Sequence, residues 1–196
     1  TVYVRSHAAG TRVLASLERF LWQRLRLVVN RAKSAVDRPW KRTLLGYTMT
    51  AHRQPKLRVA PASVQRFKAR IRAELRRGRG RNLRRVLATL KPVIRGWVAY
   101  YRLVEVKAAF EALDQWLRRR LRCLLWRQWK HWRNRMRRLM EHGVERWRAW
   151  RSATNGRGPW WNAGASHMHA AIPARWLHHQ GLVSFLGEYR RLAGAT

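Results

Sequence analysis

The stretch "WLRRRLRCLLWRQWKHWRNRMRRLM", Trp116 to Met140, carries ten Arg or Lys side chains and no Asp or Glu. Like charges three and four residues apart on a helix repel, so the segment folds only where something offsets that repulsion. On a wheel of about 3.6 residues per turn, Leu117, Leu121, Leu124, Leu125, Trp132, Met136, Leu139 and Met140 share one broad arc. Arg119, Arg120, Arg122, Arg127, Lys130, Arg133, Arg137 and Arg138 fall mainly opposite, and Arg135 points towards the apolar side. The spacing predicts one amphipathic helix of about 37 Å, with a core face and a cationic face. A merely solvated helix face mixes signs, and this one does not.

The imbalance extends to the whole chain. Its 196 residues hold 44 Lys and Arg against nine Asp and Glu, a formal net charge of +35. Apolar residues make up 46%, too many for a disordered basic tail and enough for one medium domain or two small ones. A compact chain with such a field implies a polyanionic partner. Nucleic acid leads, because Arg outnumbers Lys and because twelve Trp and five Tyr are interleaved with the basic residues. Guanidinium forks bind phosphates and stack on bases, and aromatic rings stack on bases too. An anionic membrane surface is the second reading for any basic amphipathic helix. No run of about 18 apolar residues is present, so no helical membrane span is expected, and the start carries no signal-peptide pattern. The single cysteine, Cys123, excludes an internal disulfide framework and suits a reducing cytoplasm. The first residue is Thr rather than Met, which leads us to expect a longer parent.

Along the chain, "TVYVR" (1–5) alternates like a short strand, "SHAAG" reads as a turn, and Val13, Leu14, Leu17, Phe20, Leu21 and Leu25 give a helical pattern. "LRLVVNRAKSAVDRP" reads as a strand, an Asn/Lys turn and an extended piece before Pro39. "KRTLLGYTMT" is a further strand, with Gly46 as a bulge or close-approach point. From Ser63 onward the pattern is helical. Val64, Phe67, Ile71 and Leu75 share a face; "RRGRGRN" is a basic turn; Asn82 caps a helix carrying Leu83, Val86, Leu87 and Leu90. Pro92 is expected to open another helix with Ile94, Trp97, Val98 and Tyr101, then Glu105–Leu113 forms a short one, and Asp114 caps the long basic helix. Two short helices close the chain, near Pro173–His179 and Ser184–Leu192, parted by Gly181.

Candidate chemistry is sparse. The acidic residues Glu18, Asp37, Glu74, Glu105, Glu111, Asp114, Glu141, Glu145 and Glu188 form no closely spaced carboxylate pair of the kind metal-assisted phosphoryl transfer or glycoside hydrolysis uses. His167, His169, His178 and His179 match no zinc spacing, so no metal site is expected. Cys123, between apolar neighbours, reads as a structural thiol. Trp126 projects towards the cationic arc, either covered by another helix or presented as a stacking platform.

A set of stretches in order resembles one family, the reverse transcriptases, or maturases, encoded by group II introns. They are "NRAKSAVDRPWKRTLLGY" (30–47), "APASVQRFKARI" (60–71), "LKPVIRGWVAYYRL" (90–103), "FEALDQWLRRRLRCLLWRQWK" (110–130), "RGPWWNAG" (157–164) and "GLVSFLGEY" (181–189). The resemblance implies a mainly α chain: a small α+β remnant of a polymerase palm over 1–54, then a helical thumb and the maturase-specific domain X over 55–196. It places Lys33 at a palm turn near incoming phosphates and Leu44, Leu45, Gly46 and Tyr47 at a primer grip, where the family usually has Phe-Leu-Gly-Phe. The family's Tyr-Ala-Asp-Asp carboxylates are absent here, which implies no catalysis by this chain and no cofactor, Mg2+ being expected only with the full-length polymerase.

The function these features imply is binding of structured group II intron RNA, assisting folding of an RNA that supplies the splicing chemistry. RNA/DNA primer-template is a further expected partner, and the setting is a bacterial-type cytoplasm. The expected contacts are Lys33, Arg38, Arg42, Arg66, Lys68 and Arg70, the 118–138 face with Arg119, Arg120, Arg122, Trp126, Arg127, Lys130, Arg133 and Arg137, the "RRGRGR" loop, and Arg157 with Trp160. Two other classes stay open: the carboxy-terminal piece of an RNA-directed DNA polymerase, and a membrane-surface protein.

Overall fold

The computed structural model describes residues 2–78 and 80–194. The chain is mainly α. In order, its elements are α1 (His7–Leu25), a 3-10 turn (Pro39–Lys41), β1 (Tyr47–Met49), β2 (Leu57–Val59), α2 (Pro61–Arg77), α3 (Leu83–Tyr100), α4 (Ala108–Gln128) and α5 (Trp132–Glu141). There follow α6 (Arg146–Ala153), α7 (Pro159–Asn162), α8 (Ser166–Ala171), α9 (Ala174–His179) and α10 (Phe185–Ala193). β1 and β2 pair antiparallel, with Thr48 opposite Arg58.

The amino-terminal part differs from the expected strands. Val2–Arg5 is not part of a sheet, and neither is the 26–36 segment. An isolated extended run has no ladder without a neighbour, and alternation alone does not supply one. "SHAAG" is not a turn: Ser6 Oγ accepts from the Ala9 amide at 3.2 Å and starts α1. Gly10 lies inside that helix, where the side chains of Val4 and Val36 occupy the room a Cβ would need. The apolar stripe of α1 is real, yet Leu17, Phe20, Trp22 and Leu25 remain exposed.

The core begins at the hairpin. Phe67 of α2 stacks on Trp97 of α3 at 4.6 Å and meets Phe185 of α10 edge-on at 5.6 Å. Trp97 meets Phe110 of α4 edge-on, and Phe110 lies against Tyr189, whose hydroxyl donates to the buried Val104 carbonyl at 2.6 Å. Such offset and edge-on pairs add to what area burial alone contributes. The expected core faces are present: Phe67, Ile71, Leu75, Leu83, Val86, Leu87, Leu90, Ile94 and Val98 are all buried. Asn82 caps α3 through a 2.8 Å bond from the Arg84 amide. Pro92 does not open a helix; α3 runs through it from Leu83 to Tyr100. The amide that proline lacks would have bonded the Ala88 carbonyl, and both residues sit on the exposed face, where that carbonyl is open to solvent.

Three corrections concern the basic segment. The short helix and its cap merge into α4, so Asp114 lies in the second turn rather than at an end. Buried there, its carboxylate accepts from Ser184 Oγ at 2.7 Å and from the amides of Phe185 and Leu186 at 2.9 and 3.1 Å. It thereby caps α10 from another helix. Second, 116–140 is not one helix. Lys130 takes a left-handed φ of 46° and His131 is extended, so α5 leaves in a new direction. No Gly or Pro marks the break. A non-glycine residue in that region is strained, and complete burial of Leu139, with Trp129 close to it in burial, offsets the cost. The Asn134 amide donating to the Trp129 carbonyl at 3.0 Å ties the corner. Third, because α5 turns away, Trp132 and Met140, expected on the core arc, are exposed.

Two outcomes follow from this packing. Asp114→Ala should lower stability by about 2–4 kcal/mol in denaturant titration, the combined cost of a lost cap and of stranded donors; an unchanged midpoint would refute the capping role. His167, buried against Trp126 at a ring separation of 5.5 Å, has its pKa pushed down to about 4, by burial first and then by Arg148. The unfolded chain titrates at the ordinary 6.5 and takes up a proton that the folded chain refuses. Stability is therefore full above that value and falls as pH drops towards about 4. His167→Gln should lessen the fall in melting temperature in that window, part of which His142 and His169, also lowered by burial, retain; identical pH profiles for the two proteins would contradict this.

Candidate nucleic-acid interface

α4 is the middle element of the interface. Trp116 and Arg120 are one turn apart and stand on the same side of the helix. Across from them on α2, Lys68 and Arg72 are likewise one turn apart. Lys68 Nζ and the guanidinium carbons of Arg72 and Arg120 each lie 5.6 Å from the Trp116 ring centre. The Arg120 guanidinium also lies 4.5 Å from the ring of Trp160 on α7, so it sits between two indoles. Arg119 covers Trp160 at 4.2 Å and donates from Nε and Nη2 to the Trp160 carbonyl at 3.3 and 3.1 Å. Its guanidinium passes 2.8 Å from the place where a Cβ on Gly164 would stand, so any larger residue there would displace it.

The result is a ladder of cations and indoles across three helices. Among the described residues, seven arginines form ion pairs with carboxylates, and Lys68, Arg72, Arg119 and Arg120 are not among them. The ring quadrupoles stabilise the cations partially, while their charge stays uncompensated. Arg120 Nε is buried without a partner. Burial first, then the neighbouring Arg72, lowers the Arg120 pKa from its ordinary value. Such an array favours a ligand with distributed negative charge.

The expected contacts divide on this geometry. Lys68, Arg119, Arg120 and Trp160 are brought together, and the ladder adds Arg72 and Trp116, which reading the sequence missed as contacts. The lysine and both residues of that pair are set at helical spacing on α2 and α4, but only the packing of those two helices shows them facing each other. Arg66 and Arg70 are exposed on α2, Arg66 donating to Ser63 Oγ at 3.0 Å. Arg127 and Lys130 are exposed at the α4–α5 corner, and Arg133 lies over Trp132 at 5.2 Å. Arg137 is exposed but donates to Asn134 Oδ1 and pairs with Glu141. Arg157 lies over Trp161 at 5.5 Å. In the amino-terminal part, Lys33 is exposed on a turn held by Asn30, Arg38 lies over Trp40 at 5.4 Å, and Arg42 pairs with Asp37 at 3.3 Å.

Two expected contacts face inward and are corrected. Trp126 is 1% exposed, against His167 of α8 and under the Arg135 guanidinium at 4.9 Å, so it is a covered core indole and not a stacking platform. Arg122 is 5% exposed, its Nε donating to the Ile172 carbonyl at 2.9 Å. The wheel assigned both to the cationic arc because it has no knowledge of α8, which covers that side of α4. In the "RRGRGR" loop, Arg79 lies outside the described residues, as does Thr1 of the first stretch.

Leu44, Leu45, Gly46 and Tyr47 form a tight corner. Leu45 and Gly46 have φ of 51° and 81°, and the Tyr101 hydroxyl and Ser63 Oγ crowd the side of Gly46 where a Cβ would stand. Tyr100 donates to the Leu45 carbonyl at 2.9 Å, Tyr47 donates to the Tyr100 carbonyl, and Leu44 and Leu45 project into solvent. Cys123 is buried. Among the described residues, no three His, Cys, Asp or Glu side chains gather as a metal site, and no helix is long and apolar enough to cross a membrane.

Residues 64–143 match the family model described as group II intron, maturase-specific domain. No curated protein sequence matches the chain. The matched stretch runs from the first turn of α2 past the end of α5 and holds every member of the ladder but Trp160 and Gly164. Over residues 64–143 the chain is thus similar to the group II intron maturase-specific domain.

Proposed function

We propose that this chain binds structured group II intron RNA and assists its folding towards a splicing-competent shape, in the cytoplasm. The observation that carries the reading is the ladder of Lys68, Arg72, Arg119 and Arg120 with Trp116 and Trp160, four cations without carboxylate partners on one surface. The match of 64–143 to the maturase-specific family model supports the choice of RNA. Phosphate neutralisation supplies the affinity, and shape supplies the recognition, because an RNA duplex hides its base edges in a deep groove. Lys68, Arg72 and Arg120 reach phosphates, Arg119 holds Trp160 in place, and Arg66, Arg70, Arg127, Lys130, Arg133 and Arg157 extend the positive surface.

We read the chain by itself as binding rather than catalytic, and as needing no cofactor. Most of its carboxylates are engaged: Glu18, Asp37, Glu74, Glu141 and Glu188 in ion pairs, Asp114 in the α10 cap, Glu105 with the Leu57 amide and Glu145 with Trp147. The RNA provides the reacting groups.

A second reading has its own support in the 44–47 corner. Two left-handed residues there hold Leu44 and Leu45 out to solvent beside a tyrosine pair, as a surface for a primer strand would require. In that reading residues 1–54 are the end of a polymerase palm, 55–196 are thumb and domain X, and Mg2+ joins only in the full-length enzyme. Primer extension by a parent chain containing a Tyr-Ala-Asp-Asp motif would support it, and an inactive parent would reject it.

For the first reading, binding to an intron transcript should weaken by roughly 0.7–0.9 log units per log unit of salt for each phosphate neutralised. Combined Lys68→Ala, Arg72→Ala and Arg120→Ala should reduce that slope by about 2 units while the melting curve stays cooperative. An unchanged slope would remove the ladder from the binding surface. Retention on anionic vesicles despite competing RNA would favour a membrane partner instead.

A further inference from the structure

α6 carries an aromatic slot that the ladder does not use. Trp147 and Trp150 are three residues apart and so share a face of this helix. They are 58% and 52% exposed, although the same chain buries Trp126 and Trp129. With Met136 of α5, Glu145 and Arg146 they line an open hollow of about 710 Å³. α5 and α6 pack directly on each other, so the walls belong to two braced helices. Trp147 Nε1 donates to Glu145 Oε2 at 2.7 Å, which satisfies the indole's single donor and sets the tilt of the ring. The Arg151 guanidinium lies 5.8 Å from the same ring.

The rim gives the charge of the occupant. Arg146 lines the hollow, Arg151 lies over the Trp147 ring, and Glu145 Oε2 already accepts from Trp147 Nε1. Two exposed indoles beside a thioether, with guanidinium groups close by, complement a flat ring attached to phosphates. α6 begins after the end of the stretch matching the maturase-specific family, so that match assigns the slot nothing.

We propose that Trp147 and Trp150 form a stacking pocket for one unpaired base of the bound RNA, with Arg146 and Arg151 meeting the flanking phosphates. This rests on the RNA-binding reading above. Every base presents a π face, so the pocket selects an unstacked nucleotide rather than a sequence.

The test uses two RNA hairpins, one fully paired and one identical but for a single bulged adenosine, with binding followed by fluorescence anisotropy. The chain should bind the bulged hairpin about tenfold more tightly, the scale of one base stacked on an aromatic ring. Joint Trp147→Ala and Trp150→Ala should abolish that preference and leave the paired hairpin's affinity and salt slope unchanged. Joint replacement by Phe should keep much of it. Equal binding of both hairpins by the unaltered chain overturns the pocket while the RNA reading stands, as does a preference that survives the alanine pair. Failure to bind either hairpin overturns both. A concentration-dependent dimer that the alanine pair dissolves, with no hairpin preference, assigns the slot to a second copy of the chain and overturns the proposal. The comparison of hairpins on the unaltered chain needs no substitution, so a poorly folding variant does not remove the test.

Discussion

A shortage of carboxylates governs this fold. With nine acidic residues against 44 basic ones, most cations have no opposite charge to meet. The chain arranges many of them over aromatic rings instead: Arg38 on Trp40, Arg133 on Trp132, Arg135 on Trp126, Arg157 on Trp161, and the α2–α4–α7 ladder around Trp116 and Trp160. A ring stabilises a guanidinium without cancelling its charge. Ion pairing on the same scale would have neutralised the field that a polyanion responds to. Order within the fold and attraction towards an outside partner therefore come from the same contacts.

Acidic residues placed where geometry matters most show the same economy. Asp114, inside α4, organises the first turn of α10 with three hydrogen bonds, and Glu188 in that helix draws in Arg95 of α3 and Arg191. α10 in turn contributes Phe185 and Tyr189 to the aromatic core shared by α2, α3 and α4. The last helix thus fixes how α2 and α4 stand to each other, and that relation brings Lys68 and Arg72 over Trp116.

Much of this was legible in the order of residues. The core faces of α2 and α3, the Asn82 cap, the two closing helices and the close approach at Gly46 follow from periodicity and residue type, which act within a few residues. The resemblance carried by stretches such as "LKPVIRGWVAYYRL" anticipated the match of residues 64–143 to the maturase-specific family model. What periodicity missed depends on distant neighbours. Trp126 and Arg122 lie on the polar side of an ideal wheel, and it takes α8, more than forty residues downstream, to bury them. The strands foreseen before residue 37 have the right alternation and no partner among the described residues.

The corner at Lys130 has a consequence for how the basic segment is understood. Neither Gly nor Pro encodes it; burial of Trp129 and Leu139 by the rest of the domain does. Nothing in the local sequence marks the bend, and only the assembled body folds the run at that point. The direction of α5, and with it the placing of the indoles on α6 relative to those along α4, is a property the surrounding architecture lends to the segment, so its curvature reports on the integrity of the whole domain.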